Sequence, residues 1–151
     1  KPIWGIVLVI LGIATMFFVY LFLQDIARKE LRSNLRNSIE LLENGQVEYI
    51  DFIQIASFSW DRLYIFTPYT NYKTIDATLG FYWLPARYSL IQSRDYVYLL
   101  VFVKNGRIVQ YIEYYTNEGN FDLAYKETGY LQNNSRFKLK DDKFLVWSPK
   151  P

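Results

Sequence analysis

A chain of 151 residues with no histidine and no cysteine excludes Ser-His-Asp and Cys-His nucleophilic catalysis, Cys/His zinc sites, haem ligation by histidine, thiol redox chemistry and disulfide stapling. Its 17 basic and 15 acidic residues nearly balance, so no strong field exists to gather nucleic acid or an acidic substrate. Catalysis is left with paired carboxylates, a lysine of depressed pKa, or oxygen-ligated Mg²⁺ or Ca²⁺, and the expectation is a non-enzyme with no cofactor.

The chain opens on an uncharged run from Ile3 to Leu23. As a helix it covers about 31 Å, the thickness of a bilayer's hydrocarbon core. A signal peptide has a shorter apolar stretch closed by small residues, whereas Phe17, Phe18, Tyr20 and Phe22 carry bulk to the end of this run. With no cysteine to acylate, a lipoprotein anchor does not fit either. Trp4 and Tyr20 suit the two interfaces, where a ring keeps an apolar body in lipid and a polar tip in water. Residues 1–23 therefore read as a transmembrane anchor.

Charge and architecture disagree about orientation. Arg28, Lys29, Arg32 and Arg36 follow the run against Lys1 before it, which by the positive-inside rule favours a cytoplasmic domain. The chain begins with Lys rather than Met, so the upstream count carries less weight. One N-terminal anchor followed by one C-terminal domain favours an inner or cytoplasmic membrane protein, single-pass, with its domain extracytoplasmic, and that is the expectation.

Residues 24–45 read as a juxtamembrane amphipathic helix continuing the anchor. Ile26, Leu31, Leu35, Ile39 and Leu42 make one apolar stripe, and Asn44-Gly45 supplies a stop. The stripe packs on the domain or, alternatively, pairs with a helix of another membrane subunit. Arg28, Lys29 and Arg32 come early and Glu40 and Glu43 late, the reverse of what a helix dipole prefers. Lipid headgroups are a better partner for those cations.

After Gly45 the period turns from helical to alternating, and residues 46–151 read as one antiparallel α+β domain. Val47–Ile55 and Leu63–Phe66 read as strands. Thr70 or Asn71 caps a short helix to Leu79, with Gly80 as its stop. Phe81–Ile91, interrupted by Pro85, reads as two short extended pieces. Tyr96–Lys104 and Arg107–Tyr115 form a hairpin on Asn105-Gly106, which supplies the positive φ angles of a type I′ turn. Glu118–Asn134 reads as an irregular connection, and Arg136–Lys140 with Lys143–Ser148 as a second hairpin around Asp141-Asp142.

Counted outward from the turn, the first hairpin has two faces. One holds Val97, Leu99, Val101, Val103, Ile108, Gln110, Ile112 and Tyr114 and suits a core; the other holds Tyr96, Tyr98, Leu100, Phe102, Val109, Tyr111, Glu113 and Tyr115. Tyrosines serve water and a partner alike, so Tyr96, Tyr98, Tyr111, Glu113 and Tyr115 are the candidate partner-binding residues. The plainer alternative is that the rings form cross-strand ladders or lie beneath a helix; a glycan-stacking platform is a third.

Trp60-Asp61-Arg62-Leu63-Tyr64-Ile65-Phe66-Thr67-Pro68-Tyr69-Thr70 leads into the short helix ending Leu79-Gly80 and then the Asn-Gly hairpin. This W-D-x-x-Y-x-F-x-P-Y-T stretch resembles uncharacterised small bacterial membrane-anchored or secreted α+β domains. The resemblance runs from about Trp60 to Tyr115 and implies no activity. A looser likeness of architecture is to periplasmic assembly lipoproteins and β-lactamase-inhibitor-like modules.

The remaining charged motifs read as structural. Asp61 and Arg62 make a turn and a surface ion pair, with a ligand-gripping pair as the alternative, and Asp141-Asp142 a solvated turn without the further oxygens calcium needs. Glu113 is the one carboxylate that a buried setting would turn into an acid, with no second carboxylate beside it by local spacing. Asn133-Asn134-Ser135 matches a glycosylation triplet that also arises by chance. Together these point to a membrane-anchored binding module, an accessory or assembly subunit of a bacterial envelope complex, with membrane lipid and a protein as partners. The alternatives are an inhibitor or immunity-type protein and a carboxylate-dependent envelope hydrolase.

Overall fold

One α-helix, α1, runs from Pro2 to Glu43, so anchor and juxtamembrane segment are one rod. The computed structural model describes residues 2–150. At 1.5 Å per residue the rod is about 63 Å long. Gly45, at φ 69°, ends it: Gln46 N donates to Leu41 O at 2.9 Å and Gly45 N to Leu42 O at 3.1 Å, the paired bonds of a Schellman motif.

The rod is divided by environment. From Ile3 it is long and apolar enough to cross a membrane, and no residue in its most apolar window is buried against the rest of the protein. In the distal half Leu31, Leu35, Ile39 and Leu42 are buried in the core. Ile26, expected on that stripe, is exposed, because five residues before Leu31 is well over a quarter-turn off the helical face.

Two antiparallel sheets follow, confirming an α+β architecture. The larger has the order β4-β3-β2-β5, built from β2 (Arg62–Phe66), β3 (Val97–Lys104), β4 (Arg107–Tyr115) and β5 (Tyr130–Leu131). The smaller, β1-β6-β7, uses β1 (Ile50–Asp51), β6 (Arg136–Lys140) and β7 (Phe144–Trp147). Strand β3 is buried on both sides. Tyr98, Leu100 and Phe102 face a core with distal α1, Trp60 and the smaller sheet; Val97, Leu99, Val101 and Val103 face a second core under Ile75, Leu79, Ala86 and Ile91.

Local structure departs from the expected strands in two places. The stretch read as a strand to Ile55 turns into a one-turn helix, α2 (Phe52–Ile55), because Asp51 accepts from Ile53 N and caps it. The expected extended pieces between Phe81 and Ile91 are 3-10 turns at Leu84–Tyr88 and Leu90–Gln92, the first carrying Pro85 in its opening turn and the second capped by Ser89. The short helix α3 (Tyr72–Leu79) is as expected, with Asn71 accepting from Thr74 N and Gly80 at φ 82°.

The hairpin turn forms as read, with Asn105 at φ 50° and Gly106 at φ 70° and Lys104 opposite Arg107. Beyond it the register breaks. Val103 pairs with Ile108, but Phe102 pairs with Gln110, so Val109 is an extra residue on β4. One inserted residue exchanges the faces of everything after it. Gln110, Ile112 and Tyr114 therefore join Tyr98, Leu100 and Phe102 beneath α1, while Tyr111, Glu113 and Tyr115 join the aliphatic side. The continuous tyrosine face does not form.

Candidate functional site

Strand β4 is an outer strand of its sheet and runs beside α1 as that helix leaves its apolar half. Gln110, buried at mid-strand, holds the two together: its Nε2 donates to Gln24 Oε1 at 2.9 Å, and its Oε1 accepts from Arg28 Nε at 3.1 Å and from Tyr111 N at 3.0 Å. Higher on the helix Arg32 donates to the Glu113 carbonyl oxygen. Both guanidiniums also lie on aromatic faces, Arg28 at 4.3 Å from the Tyr111 ring centre and Arg32 at 4.7 Å from that of Tyr115.

The segment after α3 faces this seam across a gap. Arg87 pins it: the guanidinium donates to Asp76 Oδ2 at 2.8 Å and lies over the rings of Tyr82 and Tyr72, while Asp76 Oδ1 accepts from Trp83 N at 2.9 Å. The Arg87 hydrogen bond holds the Asp76 carboxyl below its ordinary value, against the opposing effect of burial. Glu113 anchors the same segment to β4, its Oε1 accepting from Ser89 Oγ and Leu90 N, each at 2.7 Å.

Two clefts lie between these walls. The larger, about 730 Å³, is lined by Asp25, Arg28, Lys29 and Arg32 on the helix side and by Leu84, Tyr88 and Ser89 opposite. The smaller, about 410 Å³, lies nearer the anchor, between Tyr20 and Leu21 on one side and Phe81, Trp83 and Val109 on the other. Both volumes fall in the range of small-molecule sites, about 300–1,000 Å³. Arg28 and Tyr111 line both, so their stack is the ridge where the two meet.

The expected partner-binding residues are dispersed by the fold. Tyr98 is fully buried, its hydroxyl donating to Asp122 Oδ1 at 2.7 Å; distal α1 and Phe121 cover its face of the sheet, so it faces no partner. Burial, aided by the Asp122 carboxylate, pushes its pKa strongly up. Tyr111 and Tyr115 are half-buried beneath arginines, and Glu113 ties down the cleft wall. Tyr96 is exposed at the end of β3, beside Tyr115 with ring centres 6.2 Å apart.

Among the expected membrane-interface residues, Trp4 and Tyr20 are exposed on the apolar half of α1. Arg28 and Arg32 bind β4 as well as lining the larger cleft. Lys29 is exposed and pairs with Asp25 at 2.7 Å. Asp61 and Arg62 do not pair with each other: Asp61 Oδ2 accepts from Asn105 N at 2.7 Å, and Arg62 donates to Thr128 O. Among the described residues no three His, Cys, Asp or Glu side chains gather as a metal ion requires.

Sequence reasoning passed over Gln24, Gln110, Leu84, Tyr88 and Ser89. Gln110 carried a usable signal, an amide at mid-strand between apolar neighbours, which must find a polar partner when buried. Comparison with protein-family models, curated proteins and solved structures finds no match to this chain. Chemically the cleft offers fixed cations, hydroxyls and aromatic edges. Its two carboxylates, Asp25 and Glu113, are each already engaged, by Lys29 and by Ser89.

Proposed function

We propose that this protein is a single-pass membrane-anchored binding module, working as an accessory or assembly subunit of an envelope membrane complex with its domain on the extracytoplasmic side. The observation that carries the reading is the divided rod. One unbroken helix leaves its first half exposed and apolar and builds its second half into the domain core, so the binding domain stands against the membrane surface. Confinement to two dimensions raises the effective concentration of any neighbour in the same membrane, so a modest docking surface suffices. Binding rather than catalysis is supported by a chain without His or Cys and by a cleft carboxylate, Glu113, that is committed to holding the wall.

The positive-inside count is the main argument against the orientation. Arg28 and Arg32 have a structural reason to be basic, since each holds α1 to β4, and this lightens that argument.

The chain's lack of cysteine makes a clean test available. Asp141→Cys places a single thiol on the exposed turn of the second hairpin. In intact cells of a bacterial host a membrane-impermeant maleimide labels it if the domain is extracytoplasmic. Labelling only after lysis reverses the orientation, and release of the full chain from membranes by alkaline wash ends the anchored reading. Mild-detergent purification followed by mass spectrometry tests the accessory-subunit reading, which requires a stoichiometric membrane protein in the preparation.

A further inference from the structure

We infer that the paired clefts form one groove for a single anionic phospholipid, its acyl chain in the smaller cleft and its phosphate headgroup in the larger. This rests on the reading of α1 as a membrane anchor. Three observations carry it: position, polarity and continuity.

Position comes from helix rise. Measured along an upright helix from Leu23, Tyr20 and Leu21 lie about 3–5 Å inside the apolar segment, and Arg28 and Lys29 about 8–9 Å beyond it. A bilayer's headgroup layer adds about 5–8 Å on each side of its hydrocarbon core. The smaller cleft therefore straddles the hydrocarbon boundary, and the larger opens at and just above headgroup height.

Polarity changes in the matching direction. The lower cleft sets the apolar side chains of Leu21, Phe81, Trp83, Ile108 and Val109, which suit a hydrocarbon chain, beside the polar Gln24, Arg28, Arg107 and Gln110. The upper cleft gathers three cations, Arg28, Lys29 and Arg32, with the Ser89 hydroxyl, against two acids. Arg28 and Arg32 each spend part of their donor fork on β4, and a guanidinium carries five N–H donors, so donors remain for phosphate oxygens. Lys29, paired with Asp25 at 2.7 Å, is exposed at the rim, and its ammonium carries three N–H donors, so donors remain there too.

Continuity identifies the source of the ligand. Tyr20 and Leu21 belong to the anchor and also line the lower cleft, so a lipid packed against the anchor already occupies that cleft's mouth. No diffusing molecule has to find it. The exposed Leu84 and Tyr88 across the upper cleft give the headgroup region an amphipathic outer wall.

The test uses the full chain in mild detergent, exchanged into mixed micelles carrying phosphatidylglycerol or phosphatidylcholine, with native mass spectrometry reading retained lipid. Lys29→Glu reverses charge at an exposed rim position, and Leu21→Trp fills the lower cleft from the anchor side; circular dichroism confirms that each stays folded. The expected result is one phosphatidylglycerol per chain, retained in preference to phosphatidylcholine, with occupancy lowered about fivefold or more by Lys29→Glu. Leu21→Trp lowers retention of both lipids. Equal retention of the two lipids by all three proteins, or full occupancy by inorganic phosphate without lipid, overturns the proposal. A chain that stays in membranes through alkaline wash yet keeps no lipid overturns only the lipid groove, whereas a chain that washes off overturns the anchored reading itself.

Discussion

The guanidinium of Arg28 sits 4.3 Å from the centre of the Tyr111 ring while its Nε donates to the side chain of Gln110, the residue before that tyrosine. Two adjacent β4 residues, facing opposite sides of the sheet, thus grip one side chain of α1. The helix is held at the strand's edge rather than laid only across its face, and the clefts exist because of that placement.

Gln110 should therefore behave as a structural residue despite being polar. Gln110→Ala strips a partner from Gln24, Arg28 and Tyr111 N together, and a loss of about 2–3 kcal/mol in domain stability is expected. Denaturant unfolding followed by tryptophan fluorescence measures it. A change within a few tenths of a kcal/mol would mean that water replaces the amide without penalty.

Tyr98→Ala should unfold the domain or lower its stability by about 3–5 kcal/mol, since it empties a ring-sized volume between Phe121 and α1. Tyr98→Phe removes only the bonds to Asp122 and Asn120, with an expected loss of about 0.5–2 kcal/mol. The two thermal melts, compared directly, decide whether this tyrosine is core. A stable Tyr98→Ala variant contradicts the placement of this ring in the core.

Three tyrosines set an alkaline limit. Burial pushes Tyr130 up to about 12, and burial pushes Tyr98 and Tyr114 higher, helped by Asp122 and Glu118 respectively. A folded pKa above the unfolded value near 10 means that the folded state holds its protons longer. The associated stability is complete below about pH 10 and disappears as pH rises through the folded values. Absorbance at phenolate wavelengths should show these tyrosines ionising together with loss of secondary structure, not before it.

At the acid end Asp76 works in the opposite sense. Its folded pKa is depressed, chiefly by the Arg87 hydrogen bond, so its contribution is present above the ordinary carboxylate value and is lost as pH falls through the folded one. Asp76→Asn should lower the melting temperature at neutral pH and flatten its fall toward acid. Parallel slopes for the wild type and the variant would show that the pair adds nothing to stability.

Gly129, at φ 63°, has no room for a side chain: a Cβ there would stand 2.8 Å from the Leu63 carbonyl oxygen and 3.0 Å from the Tyr64 ring. Because the nearest atom is backbone in a central strand, it cannot move aside. Gly129→Ala should cost about 1–3 kcal/mol, read by the same denaturant titration.

How much of this was legible depended on whether a feature is set by neighbours in sequence. Asn44-Gly45, Asn71, Gly80 and Asn105-Gly106 act through local φ angles and caps, and each does in the fold what its residue type requires. The stripe Leu31-Leu35-Ile39-Leu42 was readable for the same reason, since helical period alone gathers it. The bulge was not. Val109 is an ordinary strand residue, and nothing within the hairpin distinguishes a strand carrying one residue too many. What selects the bulge is the helix, because only the shifted register brings Gln110 to Gln24 and Arg28, more than eighty residues away in the chain. The tyrosine face failed at that step, because Tyr111 and Tyr115 change sides, and the expectation that Tyr98 meets a partner failed because distal α1 covers the face it stands on. The clefts were illegible too, being gaps between three separate segments rather than motifs in any one.

The unbroken helix also decides reach. A flexible tether of twenty residues would let a domain roam about 25 Å from its point of attachment. Here Leu31 to Leu42 are already core when the helix ends, so the leash has no slack. On the proposed reading as an anchored binding module, a partner must come within the domain's own width of the place where α1 leaves its apolar half, a geometry that selects lateral neighbours and ignores molecules drifting past at a distance.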